Sequence, residues 1–267
     1  MISRILSALL LMPAVLLLLW RGPAWVVVLL TLAITAGLIR EWLRMETPPA
    51  PLFESLLPIS AGWLLVATIW REGPVGLVVA LLLVLLLGRE VFRFGSAGGR
   101  GTGGAAFQCL GVLLAALPMG LLLDIWARPR GGDWLTYLLL VIWATDSGAL
   151  FAGRRWGRTK LAPTLSPGKT WAGGIGGAIA GTLAGLGWAW MVGLPLLLPA
   201  TLFLSFLMSV LGQVGDLAES MLKREAGVKD SGSLIPGHGG LWDRLDSLLF
   251  VTPFFGLCLE ALRLWTF

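Results

Sequence analysis

The chain has 267 residues, of which 57% are hydrophobic and 13% are charged, and its formal net charge is +5. Soluble domains carry about twice this charged fraction, so the composition excludes an ordinary soluble protein and indicates an integral membrane protein. The basic residues flank apolar segments. Membrane topology and anionic lipid therefore explain the positive charge better than nucleic acid, which we do not expect as a partner.

Apolar segments recur from one end of the chain to the other. A straight helix crosses a bilayer with about 20 residues, whereas open strands would leave backbone groups unpaired in lipid. We therefore predict an all-α fold, a polytopic transmembrane helical bundle of about nine spans. The predicted spans are 4–20, 24–39, 55–70, 74–92, 104–124, 134–152, 172–193, 195–214 and 247–266.

These spans are expected to form a single integral membrane domain over 1–267. Residues 1–133 would supply the N-terminal spans, and 134–267 the spans and loops that carry the functional site. With the N-terminus inside, 15 of the 20 Lys and Arg residues fall in inside segments. This bias predicts a cytoplasmic N-terminus and places loops 153–171 and 215–246 on the cytoplasmic face.

A single acid, Asp146, interrupts the sixth span. Within a bilayer such a carboxylate faces the bundle interior or water and by default indicates function, the alternative being a buried hydrogen-bond partner between helices. The loop that follows contains Ser166 and Lys169 among several arginines. Its cations and hydroxyls suit phosphates, but inside loops are basic in any case, so the two explanations are evenly balanced. The glycine-rich segment 172–187 favours close helix packing.

The residues that follow the eighth span include both acidic and basic side chains. If that helix continues, Asp216, Glu219, Ser220 and Lys223 share one face by their spacing of three and four residues. Acids followed by a cation on one stripe fit a site for a metal ion and phosphate.

Two further acids, Asp243 and Asp246, stand three residues apart at the start of the last apolar run, with Arg244 between them. Helix capping would explain one such acid, but two after a glycine-rich loop favour metal or phosphate binding. That loop holds the only histidine, His238. It could donate to a phosphate, shuttle a proton or hold the loop, and these alternatives stay open.

The segment 220–246 resembles the signature of phosphatidate cytidylyltransferases, also called CDP-diacylglycerol synthases. The matching residues are Ser220, Lys223-Arg224, Lys229-Asp230, Pro236-Gly237-His238-Gly239-Gly240 and Asp243-Arg244-Leu245-Asp246. Other polar blocks that look like the family's are Asp146-Ser147-Gly148-Ala149, Gly153-Arg154, Ser166-Pro167, Lys169-Thr170 and Gly215-Asp216-Leu217. The chain departs from the family pattern at Gly168, where a basic residue is usual, and at Ala172, where an acid is usual.

The resemblance implies a membrane enzyme that transfers CMP from CTP to phosphatidic acid, giving CDP-diacylglycerol and pyrophosphate. It implies a magnesium ion held by Asp216 and Asp243, with Asp246 either as a further ligand or as a residue that supports the ligands. It also suggests a second metal ion, perhaps potassium. The residues expected to act in catalysis are Asp216, Asp243, Asp246, Lys223 and Asp146. The residues expected to bind substrate are Arg224, Lys229, Asp230, His238, Gly239, Gly240, Arg244, Lys169 and Ser166.

The expected partners are CTP, phosphatidic acid and membrane lipid, with a homodimer left open. The expected location is a bacterial inner membrane, with the active site on the cytoplasmic side. Two alternatives are a CDP-alcohol phosphotransferase or CTP-dependent lipid kinase, and a transporter or lipid-binding scaffold. The chain lacks the Asp-Gly-x-x-Ala-Arg motif of the phosphotransferases, and its polar residues gather on one face rather than at the midplane.

Overall fold

The computed structural model describes residues 2–45, 52–95, 100–228, 231–232 and 239–262, with side chains from residue 12 onward. Within these ranges the α-helices are α1 (Ile2–Arg21), α2 (Ala24–Arg44), α3 (Leu56–Trp70), α4 (Val75–Arg93), α5 (Gly101–Ala127), α6 (Gly131–Trp156), α7 (Trp171–Val192), α8 (Leu198–Glu225) and α9 (Trp242–Ala261). A short 3-10 helix, Leu52–Ser55, precedes α3. The predicted helical fold is confirmed.

Seven helical segments of the described chain are long and apolar enough to cross a membrane. They are Ala24–Arg44, Leu52–Trp70, Val75–Arg93, Gly101–Ala127, Gly131–Trp156, Trp171–Val192 and Leu198–Glu225. The apolar part of α1, Met12–Arg21, is shorter, and α9 is not among the seven. A polytopic membrane protein is therefore supported, whereas the finer count of nine spans stays a prediction.

Two predicted boundaries differ from the structure in a way that matters for the site. Helix α8 continues to Glu225 rather than ending at 214, and α9 begins at Trp242 rather than at 247. Hydropathy marks where a chain leaves an apolar environment, not where its helix ends, so polar turns at both helices fell outside the predicted spans. Both extensions carry the acids and the lysine discussed below.

The contacts divide the chain into two compact units. Unit one consists of Met1–Leu30, Ile125–Val214 and Phe250–Phe267, and unit two consists of Thr31–Asp124 and Gly215–Leu249. The single domain predicted over 1–267 stays a prediction.

In unit one, α6 and α7 pack closely because glycines remove side chains from their contact. A Cβ atom on Gly177 would lie 2.8 Å from the Thr145 carbonyl oxygen, and one on Gly148 would lie 2.5 Å from the Ala180 Cβ. The Thr145 hydroxyl also hydrogen-bonds to Ser209 at 2.6 Å. Small residues and interhelical hydroxyls are the usual means of holding helices together in lipid, so the packing role predicted for 172–187 is confirmed.

Unit one also contains a short hairpin that the helical prediction did not include. Strand β1 (Lys160–Ala162) pairs antiparallel with β2 (Ser166–Thr170). At the end of β2, the Thr170 hydroxyl accepts a hydrogen bond from the Gly173 amide at 3.1 Å and so caps α7. The loop after α6 is therefore ordered as a hairpin that leads directly into the next helix.

Unit two is centred on stacked aromatic side chains. Trp42 of α2 stacks on Phe107 of α5 with ring centroids 4.9 Å apart, and its ring lies 5.3 Å from that of Trp242 in α9. The indole N–H of Trp42 donates to the Phe107 carbonyl at 2.8 Å. Buried tryptophans with a satisfied N–H fix helix orientation as well as burying apolar area. This packing holds the first turn of α9 in place.

Candidate active site

Three carboxylates converge where the last turns of α8 meet the first turn of α9. Asp216 and Glu219 lie one turn apart on α8, and Asp246 lies on α9. One carboxylate oxygen from each residue lies within 4.8 Å of the other two. Glu219 is buried, with 4% of its surface exposed, and the two aspartates are half-buried. We call these three residues the acid cluster.

The predicted alignment of polar residues along α8 is confirmed by a bond within the helix. The Lys223 ammonium lies 2.8 Å from Glu219 Oε2, one helical turn away. It also lies 2.5 Å from Asp243 Oδ1 on α9. Lys223 therefore connects the acid cluster to Asp243 and joins the two helices electrostatically.

Asp243 occupies a different position from the other predicted metal ligands. Its Oδ1 accepts from Lys223 at 2.5 Å, and its Oδ2 accepts from the amides of Ser231 at 3.1 Å and Gly240 at 2.8 Å. The Ser231 hydroxyl donates to the same Oδ2 at 3.0 Å. Both oxygens of Asp243 thus accept hydrogen bonds from the protein.

These contacts control the ionisation of Asp243. Burial raises the pKa of this carboxyl, but the side-chain hydrogen bonds with Lys223 and Glu219 and those from the two backbone amides lower it by more. The pKa therefore lies well below the usual range of an aspartate. Asp243 is therefore a carboxylate at neutral pH. It provides the fixed negative charge that keeps the Lys223 ammonium between the two helices.

The donor set fits a hard divalent cation. Carboxylate oxygens are the ligands that magnesium and calcium prefer in proteins. Glu219 Oε1 is buried and has no hydrogen-bond partner within the part of the chain that the structure describes. The Lys223 ammonium contacts two of the four carboxyl groups in this region, those of Glu219 and Asp243. A buried carboxylate oxygen without a partner is costly unless a cation is bound, so this oxygen favours a metal ion here.

The other residues predicted to act at the site are divided between the two units. Arg224 and Arg244 are exposed at the ends of α8 and α9. Lys169 and Ser166 lie on β2 in unit one, where the Lys169 ammonium donates to the Gln213 carbonyl at 3.3 Å. Asp146 is exposed on α6 of the same unit. Their roles toward substrate stay predictions.

Part of the predicted glycine-rich loop falls outside the described residues, namely Lys229, Asp230 and His238. Its two described glycines have clear structural reasons. Gly239 has a φ of +77°, which disfavours other residues. A Cβ atom on Gly240 would lie 2.1 Å from the Ser231 hydroxyl. Gly240 can therefore bring its amide close to Asp243 only because it lacks a side chain.

Two acids of this region were absent from the predicted site. Glu219 was placed on the correct helix face but not among the ligands, although its spacing from Asp216 was a usable signal. Glu41 of α2 was not considered at all. Its side chain is buried and accepts from the Leu241 amide at 2.7 Å. The contact links residues 200 positions apart, so nothing local in the sequence could have revealed it.

A sequence model of the cytidylyltransferase family matches residues 2–262 of the chain. The chain belongs to this family. It is 37% identical over 257 residues to the phosphatidate cytidylyltransferase of Brucella suis biovar 1 (strain 1330), covering 92% of this chain and 88% of that protein. It is 38% identical over 182 residues to the phosphatidate cytidylyltransferase of Bacillus subtilis (strain 168), covering 66% and 63%.

A third cytidylyltransferase relative matches a shorter region more strongly. The phosphatidate cytidylyltransferase of Haemophilus influenzae is 47% identical to this chain over 132 residues, covering 45% of this chain and 43% of that protein. Family membership confirms the resemblance recognised in 220–246. It also extends that resemblance over the N-terminal helices, which had matched only in general character.

Proposed function

We propose that the chain is a phosphatidate cytidylyltransferase, an integral membrane enzyme that transfers CMP from CTP to phosphatidic acid. The proposal rests above all on the convergence of Asp216, Glu219 and Asp246 beside Lys223, at and just before the segment that resembles the family signature. A site that concentrates carboxylates next to a held ammonium suits reactions between phosphates.

The reaction sets clear demands on such a site. An oxygen of the phosphatidate phosphate attacks the α-phosphorus of CTP, a new P–O bond forms, and the bond to the β-phosphate breaks to release pyrophosphate. The attacking oxygen is already ionised, so no strong general base is required. Both substrates are polyanions that repel each other. The enzyme therefore has to supply positive charge and alignment, which dominate catalysis of phosphoryl-type transfer.

We propose Asp216, Glu219 and Asp246 as the residues that hold magnesium. The bound ion would neutralise phosphate charge and stabilise the charge that develops during transfer. Asp243, first expected as a direct ligand, is better suited to hold Lys223 because both of its oxygens accept hydrogen bonds from the protein. A second ion such as potassium stays open.

The basic residues are of two kinds: Lys223 is fixed by ion pairs, and Arg224 and Arg244 are exposed. Lys223 lies between Glu219 and Asp243, so its ammonium keeps one position and can contact a phosphate without reorganisation. Arg224 and Arg244 are exposed, and we propose that they contact the phosphates of CTP or phosphatidate. The roles proposed for Lys229, Asp230, His238 and Lys169 follow from the family resemblance.

The membrane arrangement completes the proposal. Nine spans with a cytoplasmic N-terminus would place α8's last turns and the loop before α9 on the cytoplasmic face, where CTP is available. The named relatives are bacterial, which favours the inner membrane. Acyl chains of phosphatidic acid would then enter the site from the inner leaflet. A homodimer remains an alternative to a monomer.

The test is an assay of the purified protein in detergent or nanodiscs with labelled CTP and phosphatidic acid. We expect CDP-diacylglycerol and pyrophosphate in equal amounts, with a requirement for both phosphatidic acid and magnesium. Glu260→Gln, which changes one exposed acid on α9, is the matched control and should keep full activity. Transfer of a head group from a CDP-alcohol, phosphorylation of a lipid, or no turnover with phosphatidic acid would refute the proposal.

A further inference from the structure

A buried glutamate from the N-terminal half of the chain contacts the start of α9. Glu41 lies in α2, within unit two, and only 2% of its surface is exposed. Its Oε2 accepts from the Leu241 amide at 2.7 Å and from the Trp242 amide at 3.1 Å. The same oxygen accepts from the Ser231 hydroxyl at 3.2 Å. One carboxylate oxygen thus gathers three donors from the segment that leads into α9.

The physical reason is the unsatisfied end of a helix. The first amides of a helix have no partner within it and carry partial positive charge, so a carboxylate placed there is stabilising. At α9 the acceptor for Leu241 and Trp242 comes from another helix, about 200 residues earlier in the chain. A second contact from α2 supports it, because the Trp242 indole N–H donates to the Leu38 carbonyl at 2.7 Å.

One of the groups that contact Glu41, the Ser231 hydroxyl, also contacts Asp243. The Ser231 hydroxyl lies 3.2 Å from Glu41 Oε2 and 3.0 Å from Asp243 Oδ2. The Gly240 amide donates to Asp243 Oδ2, and a Cβ atom on Gly240 would lie 2.5 Å from Glu41 Oε2. Glu41 is therefore packed directly behind Ser231 and Gly240, whose amides and hydroxyl bind Asp243.

We propose that Glu41 is a positioning residue for the reaction, acting through the start of α9, Ser231 and Gly240 on Asp243 and thereby on Lys223. This inference rests on the proposed function for its kinetic consequence. Asp243 is the partner that fixes the Lys223 ammonium at 2.5 Å, and Lys223 in turn contacts the acid cluster through Glu219. A shift at the start of α9 moves both acids, because Asp243 lies in the first turn and Asp246 follows three residues later on the same helix.

Glu41→Gln tests this with little change in side-chain volume. The amide can still accept from one or two donors, but it lacks the negative charge that strengthens bonds to helix amides. We expect kcat to fall about tenfold to a hundredfold, as for a small misplacement of reacting groups, while KM for CTP changes less than about threefold. We also expect faster hydrogen exchange of the amides at 241–249 in the protein without substrates.

Leu65→Ala is the matched control for loss of stability. Leu65 is fully buried on α3 in the same unit and makes no polar contact with this network. Its truncation lowers the unfolding temperature, but it should leave kcat within about threefold and exchange at 241–249 unchanged. If Glu41→Gln does not fold, Ser231→Ala removes only the shared hydroxyl and should lower kcat about threefold, with the same change in exchange.

Wild-type turnover in Glu41→Gln, or an equal loss of kcat in Leu65→Ala, would overturn the positioning role. Exchange at 241–249 that is the same in Glu41→Gln and the wild type would overturn it as well. Failure of the proposed function is separate, because it would appear as a wild-type protein without CDP-diacylglycerol production. The exchange measurement would still report whether Glu41 orders the start of α9.

Discussion

Two charge clusters of unit two differ in how their charges are balanced. Between the 3-10 helix and α4, Glu54 Oε1 lies 2.8 Å from Arg93 and its Oε2 lies 3.2 Å from Arg89. Arg89 also donates to Gln108 Oε1 at 2.8 Å. Both carboxylate oxygens are matched by guanidinium groups. We call this cluster closed because each carboxylate oxygen has a guanidinium partner. Its contacts join neighbouring structural elements.

The acid cluster on α8 and α9 differs at one oxygen of Glu219, and we call the cluster open for that reason. Asp216, Glu219 and Asp246 bring three carboxylates together, and Lys223 is shared with a fourth acid, Asp243. Glu219 Oε1 is buried without a hydrogen bond in the described chain. Ion pairs alone are therefore poor indicators of function. Carboxylates that the fold holds together around a buried oxygen without a partner indicate a site for an additional ion or substrate.

The largest effect is expected from removing a charge of the acid cluster. Asp216→Asn and Asp246→Asn should each lower turnover by at least about a thousandfold, because they remove proposed ligands of the metal ion. Both proteins should still fold, since the substitution relieves repulsion between neighbouring acids. The measurement is CDP-diacylglycerol formation, with expression and unfolding temperature as controls. Turnover near the wild-type rate in either variant would refute the assignment.

Changes at Lys223 test whether its fixed position matters. Lys223→Met should lower turnover about a hundredfold, because the phosphates lose a positioned charge and Asp243 loses its partner. Lys223→Arg keeps the charge but places it in a planar fork that does not match the Glu219–Asp243 spacing, so we expect at most a tenth of wild-type turnover. Full activity in the arginine variant would show that charge alone suffices.

Magnesium should stabilise the open cluster. At a concentration of about one hundred times Kd, the free energy of unfolding should rise by about 2.7 kcal/mol in the wild type. The increase should disappear in Asp246→Asn and persist in Glu54→Gln. Thermal unfolding in detergent, with and without a chelator, gives the comparison. An equal shift in all three proteins would mean that magnesium binds elsewhere.

Breaking the closed cluster should change stability and not catalysis. Glu54→Gln removes the carboxylate charge that two arginines share, so the free energy of unfolding should fall by about 1–3 kcal/mol. Turnover at a temperature well below unfolding should stay within about threefold of the wild type. A large loss of turnover without a loss of stability would assign this cluster to the reaction instead.

The smallest effect concerns pH. Because the folded pKa of Asp243 is lowered, its carboxylate stabilises the fold above the ordinary range of an aspartate, near pH 4, and this contribution is lost as the pH falls below that range. Wild type and Asp243→Asn, both with chelator, should therefore differ in unfolding temperature at neutral pH and converge toward pH 3. A difference that grows at low pH would contradict the assigned direction.

Much of the molecule follows from local patterns in the chain. Long apolar segments predict membrane helices, and glycines at 172–187 predict the close packing of α7. The spacing of Asp216, Glu219 and Lys223 predicts a polar face on α8, which the Lys223–Glu219 contact confirms. These features depend on helical periodicity, which is a property of consecutive residues. The motif residues of 220–246 likewise identify the cytidylyltransferase family from the sequence alone.

The pairings across distant segments depend on the tertiary structure alone. The chain order does not say that Asp246 meets Glu219 while Asp243 meets Lys223, nor that Glu41 satisfies the amides of α9. Each of these depends on which helices pack together and on the rotation of each helix about its axis. A difference of one residue along a helix turns a side chain by about 100°, so only the packed structure separates a ligand from its support.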